Sequence, residues 1–218
     1  FEIEQIRTKM SIRTVSELLL DLRKKFKTKT VSVEKILLAF HERGFGFFLF
    51  IVALPMALPL PVPPGINILL ATPLLLLTGQ QAIGRKTIWV PEKLRKKRID
   101  IKTLQDSIDK ALPVTKKIEV FIQPRLGFIT QGIFSNIIGA AGFVMALAVC
   151  VPVPLTNTVP SLGIALMAIG VVMRDGLTVL TGLVVGSLWV LMLVFIVVFL
   201  GTEGIEVFKE TIKALLHI

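Results

Sequence analysis

The chain has 218 residues, 53% apolar and 18% charged, with a mean hydropathy of +0.78 and a net charge of +10. That balance excludes a soluble globular domain, and the lack of alternating strand-length segments excludes a β-barrel. What is expected is an all-α integral membrane protein, because long uncharged runs alternate with strongly basic segments. The one cysteine, Cys150, rules out an intrachain disulfide and a cysteine-built metal site.

Residues 1–12 form a mixed, polar lead-in. Thr14-Val15-Ser16-Glu17 then reads as a helix capping box, followed by Val15, Leu18, Leu19, Leu22 and Phe26 on one helical stripe. Arg23, Lys24, Lys25 and Lys27 occupy the opposite face, which suits a helix lying on anionic lipid. A second amphipathic helix is expected from Ser32, with Val33, Ile36, Leu37 and Phe40 on one side. No charged leader precedes a short apolar core and cleavage site, so the first apolar run is expected to act as its own targeting signal.

Residues 44–84 carry no charge. As one helix this run would reach about 62 Å, twice the ~30 Å hydrocarbon core of a bilayer, so it must turn back. Pro59, Pro61, Pro63 and Pro64 break it, and Gly65 and Asn67 supply a turn residue and a helix cap. The arms are 46–61 and 67–84. The first is slightly short for a full span, so a spanning and a re-entrant arm both fit. Pro73 predicts a kink in the second.

Residues 85–125 hold 12 Lys and Arg against 5 acids. They include an amphipathic helix with Ile101, Leu104, Ile108 and Leu112 on one face, and Trp89 fits an interfacial anchor. A second charge-free run, 126–173, is broken by Pro152, Pro154 and Pro160 around Asn157. Residues 177–200 read as one complete transmembrane helix, and an amphipathic tail follows from Glu203.

The two broken runs share an order of features: an amphipathic segment, an arginine with Gly and Phe, an apolar arm, a Pro-x-Pro break, an asparagine and a second arm. An internal repeat is therefore expected: residues 1–84 and 85–176 are its two copies, and 177–218 the last helix and tail. Residues 1–45 carry 10 of the 25 Lys and Arg and 85–125 carry 12. Both basic segments belong on the cytoplasmic side by this count, which makes the hairpins parallel and puts the C-terminus outside; the alternative, an inverted pair, requires one basic segment outside.

No Asp, Glu, Lys, Arg or His interrupts either broken run or residues 177–200, so a proton relay has no obvious carrier. His41 and His217 sit in amphipathic flanks. No metal-ligand spacing, phosphate loop or nucleophile–base pair appears; neither a cofactor nor an enzymatic activity is expected. The basic segments interleave with apolar stripes rather than exposed aromatics, so anionic membrane lipid is the expected partner and nucleic acid is not. Two hairpins and one span bury little surface alone, which favours a homodimer.

The candidate binding groups are Asn67, Thr156, Asn157 and Thr158, where free N–H groups of the second arms would point inward toward an anion. The plainer role, capping their own helices, fits them equally well. Gln80 and Gln81, with Gln131, Ser135 and Asn136, are either ligands or interhelical glue. Arg43, Arg85, Arg125 and Arg174 ring the cytoplasmic mouths of the hairpins, as topology anchors or as recruiters of an anionic substrate.

Glu42-Arg43-Gly44-Phe45-Gly46, Pro59-Leu60-Pro61-Val62-Pro63-Pro64-Gly65, Pro124-Arg125-Leu126, Pro152 through Pro160 with its Leu-Thr-Asn-Thr, and Met173-Arg174-Asp175-Gly176 together resemble the ExoD family. The resemblance runs over roughly residues 13–200. It implies a bacterial inner-membrane protein of exopolysaccharide production linked to alkali tolerance, and it brings no catalytic residues. Three roles fit: a transporter or lipid carrier for an anionic head group such as a polyprenyl phosphate or lipid-linked sugar, a monovalent cation or proton transporter, and a non-transporting partner of polysaccharide assembly proteins.

Overall fold

The computed structural model describes residues 15–25, 29–39, 44–58, 66–85, 87–150 and 157–216. The proline-rich corners at 59–65 and 151–156, and with them Thr156, lie outside these, as do Thr14 and Arg43. The chain is mostly helical. In order it forms α1 (Val15–Lys25), β1 (Thr30–Ser32), α2 (Val33–Ala39), α3 (Gly44–Ala57), α4 (Ile66–Ala82), α5 (Glu92–Arg95) and β2 (Arg98–Asp100). There follow α6 (Ile101–Phe121), a 3-10 turn (Gly127–Thr130), α7 (Ile133–Cys150), α8 (Thr158–Met173) and α9 (Gly176–Leu216).

The apolar arms pack crosswise. α3 lies mainly against α8 and α4 mainly against α7, so the first arm of each run meets the second arm of the other. Their shared core includes Leu49, Ala53, Leu74, Met145, Ile164 and Met167. Small residues bring the backbones together: a Cβ on Gly139 would fall 2.7 Å from the Gln81 carbonyl carbon and 2.8 Å from Ala82 Cα. α9 runs along α8, where Gly163 faces Gly182 and Gly186. Among the described residues two helices, Ile133–Cys150 and Gly176–Phe199, are long and apolar enough to cross a membrane. Proline does not end either hairpin arm it enters, since Pro55 lies inside α3 and Pro73 inside α4.

The amphipathic segments form a second layer. α1 packs on α6, with Ser16 Oγ 3.1 Å from Thr115 Oγ1 and the Ser16 N–H donating to Glu119 at 2.7 Å. Two residues of the expected lipid-facing stripe of α1 are instead covered by protein. Leu19 and Leu22 are buried with Ile36, Ile108 and Ile122, and this cluster joins the bundle through Phe47, Val172 and Met173. The reason is that α6, which runs on nine residues past Leu112, offers a matching apolar face, and two such faces cover each other.

β1 and β2 were not expected. They pair antiparallel, Val31 opposite Ile99, and the joint is reciprocal: the Val33 N–H donates to the Lys97 carbonyl and the Ile101 N–H to the Lys29 carbonyl, both at 3.0 Å. Each strand thus leads straight into a helix, and the two basic segments occupy one end of the bundle. At that same end, α3 and α7 begin and α4 and α8 finish.

Candidate functional site

The second arms end in the same way. Beyond α4, the Gly84 N–H donates to the Gln81 carbonyl at 3.0 Å and the Arg85 N–H to the Gln80 carbonyl at 3.1 Å. Beyond α8, the Arg174 N–H donates to Val171 at 3.4 Å and the Asp175 N–H to Gly170 at 2.8 Å. Both are Schellman turns, which satisfy the last helical carbonyls through one left-handed residue. Gly84 fills that place with φ 71° and Arg174 with φ 55°. Glycine adopts the left-handed region freely, whereas arginine does so at a cost of about 1–2 kcal/mol.

These two corners, with the starts of α3 and α7, enclose a cavity of about 310 Å³. Its lining is Phe45, Gln81, Gly84, Arg85, Thr130, Gln131, Gly132, Ser135, Asn136, Val171 and Arg174. Gln81 is buried, and its Nε2 donates to Ser135 Oγ at 3.2 Å while its Oε1 has no hydrogen-bond partner among the described residues. Arg85 and Arg174 have no ion-pair partner among the described residues. Asp175, though buried beside Arg174, turns the other way: it accepts from the Leu177 N–H at 3.0 Å and the Thr178 hydroxyl at 2.7 Å and so caps α9. Two uncompensated guanidinium groups therefore share one cavity with uncharged amides and hydroxyls. Guanidinium presents a planar fork of donors that matches phosphate or carboxylate.

Of the four arginines expected at the mouths, the fold brings Arg85 and Arg174 together. Arg125 stays outside the cavity, bonded to Gln123 at 3.0 Å, while its carbonyl accepts from the Gly176 N–H at 2.6 Å. Gln81 belongs to the cavity. Gln80 does not: its Oε1 accepts from the Trp89 N–H at 2.6 Å and its Nε2 donates to the Trp89 carbonyl at 3.0 Å, so it clamps the loop. Ser135, Asn136 and Gln131 join the cavity from the start of α7. Thr130, in the 3-10 turn, went unnoticed; a lone threonine in an apolar stretch gives no signal for such a place.

The residues expected at the breaks lie at the other end. Asn67 is the second residue of α4 and Thr158 the first of α8. Asn157 precedes α8 without a side-chain cap bond, and both its buried Oδ1 and the buried Ser161 Oγ one turn on lack partners among the described residues. The 16 residues of α8 separate this end from the Arg174 corner by about 24 Å. Among the described residues no group of three or more His, Cys, Asp or Glu could hold a metal ion.

Comparison with known proteins places the chain. The family model "Exopolysaccharide synthesis, ExoD" matches residues 15–195. Protein ExoD of Rhizobium meliloti is 25% identical over 176 residues, covering 79% of this chain and 72% of that one. An uncharacterized protein of Synechocystis sp. is 31% identical over 188 residues, covering 84% of this chain and 88% of its own. No solved structure matches. The quoted motifs, the extent of the match and these relatives agree, and the chain belongs to the ExoD family, which is involved in exopolysaccharide synthesis.

Proposed function

We propose that this protein is a non-enzymatic carrier of the bacterial inner membrane that takes the anionic head group of a lipid intermediate, a polyprenyl phosphate or a lipid-linked sugar, into the cavity between the two hairpin corners. One observation carries the reading: Arg85 and Arg174, without ion-pair partners among the described residues, face the same cavity as Gln81, Ser135 and Asn136. A hydrogen bond to a charged group contributes about 1.5–3 kcal/mol, so two forked arginines suffice to hold a phosphate that neutral amides then orient. The Gln81 amide has a second orientation in which the Ser135 hydroxyl donates and the NH2 points to the ligand, since amide direction follows the hydrogen bonds around it.

The membrane topology in this proposal keeps both basic segments in the cytoplasm, so the cavity opens there, and treats the two broken runs as parallel copies. The crosswise packing, the reciprocal β1–β2 joint and the matching corners at Gly84 and Arg174 support that relation. Asn157 and Ser161, whose oxygens have no partner among the described residues, lie at the far end of α8 and are the next polar groups proposed to meet a head group.

The test is complementation of an exopolysaccharide defect by Arg85→Gln combined with Arg174→Gln. Loss of polymer with normal amounts of protein in the membrane is expected. Full complementation would reject the reading. A second role, docking of polysaccharide assembly proteins, is favoured by the exposed basic turn of α5. There Arg95 and Lys96 are drawn to Glu92, at 3.9 and 3.2 Å, while Lys93 and Lys97 are left to solvent. Charge reversal at Lys93 and Lys97 would then abolish polymer with the cavity intact.

A further inference from the structure

Arg85 lines a second cavity as well, of about 390 Å³. Its walls are Leu37 of α2, the loop residues Thr87 to Val90, and Arg95 with Glu34 at its rim. Both cavities reach the lower part of the range, roughly 300–1,000 Å³, in which small-molecule sites fall. They differ in chemistry. The first is polar, whereas Leu37, Ile88, Trp89 and Val90 make the second largely apolar.

The loop wall is apolar for a structural reason. A backbone strand beside a greasy ligand would leave N–H and C=O groups unsatisfied, at a cost of several kcal/mol per group in hydrocarbon. At Trp89 both groups are already taken up by the Gln80 side chain. The indole, 52% exposed, is left free to cover an apolar chain. Of the arginines at its edges, Arg85 stands between the cavities without an ion-pair partner among the described residues, whereas Arg95 is paired with Glu34 at 3.7 Å and Glu92 at 3.9 Å.

We propose that the two cavities are one amphiphile site, in which a phosphate ester of a long apolar alcohol sets its phosphate against Arg85 in the polar cavity and lays the first part of its chain along Leu37, Ile88, Trp89 and Val90. This rests on the head-group reading above and deepens it by giving the apolar chain of the lipid a place of its own beside the polar cavity. A soluble sugar phosphate would use the first cavity alone and leave the apolar groove unexplained.

The experiment measures binding to the purified full chain in detergent with three probes: farnesyl phosphate, inorganic phosphate and farnesol. Farnesyl phosphate is expected to bind at least tenfold more tightly than either of the others. Leu37→Trp, which fills the groove, and Trp89→Ser, at an exposed position, should each weaken farnesyl phosphate at least tenfold and leave inorganic phosphate within twofold; both should keep the parent melting temperature. Equal affinity for farnesyl phosphate and inorganic phosphate, or groove variants that change nothing, would overturn the amphiphile site. Arg174→Gln separates the two ideas. Weakening of both phosphates by this variant upholds the head-group cavity even when the groove variants are silent, and unchanged affinity for both sinks the cavity and the amphiphile site together.

Discussion

Gly84 and Arg174 hold the same left-handed position at the ends of two helices that pack on opposite partners, one without a side chain and the other with a guanidinium over the cavity. The asymmetry predicts a split between stability and function. Arg174→Gly removes a left-handed penalty of about 1–2 kcal/mol and adds about 0.5–1 kcal/mol of chain entropy, so its melting temperature should equal or exceed the parent's. Polymer production should nonetheless fall. A variant that is less stable, or fully active, would show that Arg174 is not kept at this corner for its charge.

The converse change is Gly84→Ala. It brings the left-handed cost to the other corner and sets a Cβ 3.2 Å from Asn136 Nδ2, so a loss of about 1–2 kcal/mol is expected in thermal unfolding. No loss would mean that the turn beyond α4 relaxes into another geometry.

Gly139→Ala tests the crosswise packing. Its methyl group would overlap the backbone of Gln81 and Ala82, which cannot move aside as a side chain can, and overpacking of this kind costs about 1–3 kcal/mol. The measurement is the melting temperature in detergent, with Gly79→Ala as the comparison, since a Cβ there would meet only the Phe143 ring at 3.5 Å, an ordinary contact.

Gln80→Leu should release the Trp89 loop. Two backbone groups lose their partners, at a cost of about 1–3 kcal/mol for each that stays buried, and the Trp89 emission should shift toward the red in a Trp189→Phe background. An unshifted spectrum would place the hold on the loop elsewhere.

The β1–β2 joint is testable in the intact membrane. Val31 and Ile99 are directly paired, so their Cα atoms lie within the ~4.4–6.8 Å reach of a disulfide. Val31→Cys with Ile99→Cys, in a Cys150→Ala background, should cross-link within one chain and should react with thiol reagents only from the cytoplasmic side. Labelling of the two positions from opposite sides would refute the parallel arrangement.

Much of this was legible in residues. Charge-free runs of fixed length had to fold back, and the end of the last apolar span near Leu200 was visible as the place where hydrophobic sequence meets Glu203. Arg85 and Arg174 stood out as the charges that close each run. The strands did not, because Thr30-Val31-Ser32 and Arg98-Ile99-Asp100 are each too short for alternation to rise above their basic surroundings. Nor did the crosswise packing, which is set by close approaches such as Gly139 on Ala82 between segments far apart in the chain. Gln80 and Gln81 show the limit most sharply: adjacent and chemically identical, they go to different tasks because a helix turns about 100° between them.

Gly201 interrupts α9 with φ 59° and ψ −154°, a conformation essentially confined to glycine. Without that interruption the 41 residues of α9 would form a rod of about 62 Å, and the segment after Leu200 would continue in line with the apolar span, standing clear of the bilayer in water. With it, the span and the tail are jointed. The tail takes a direction of its own, and one residue without a side chain sets where the last apolar helix stops.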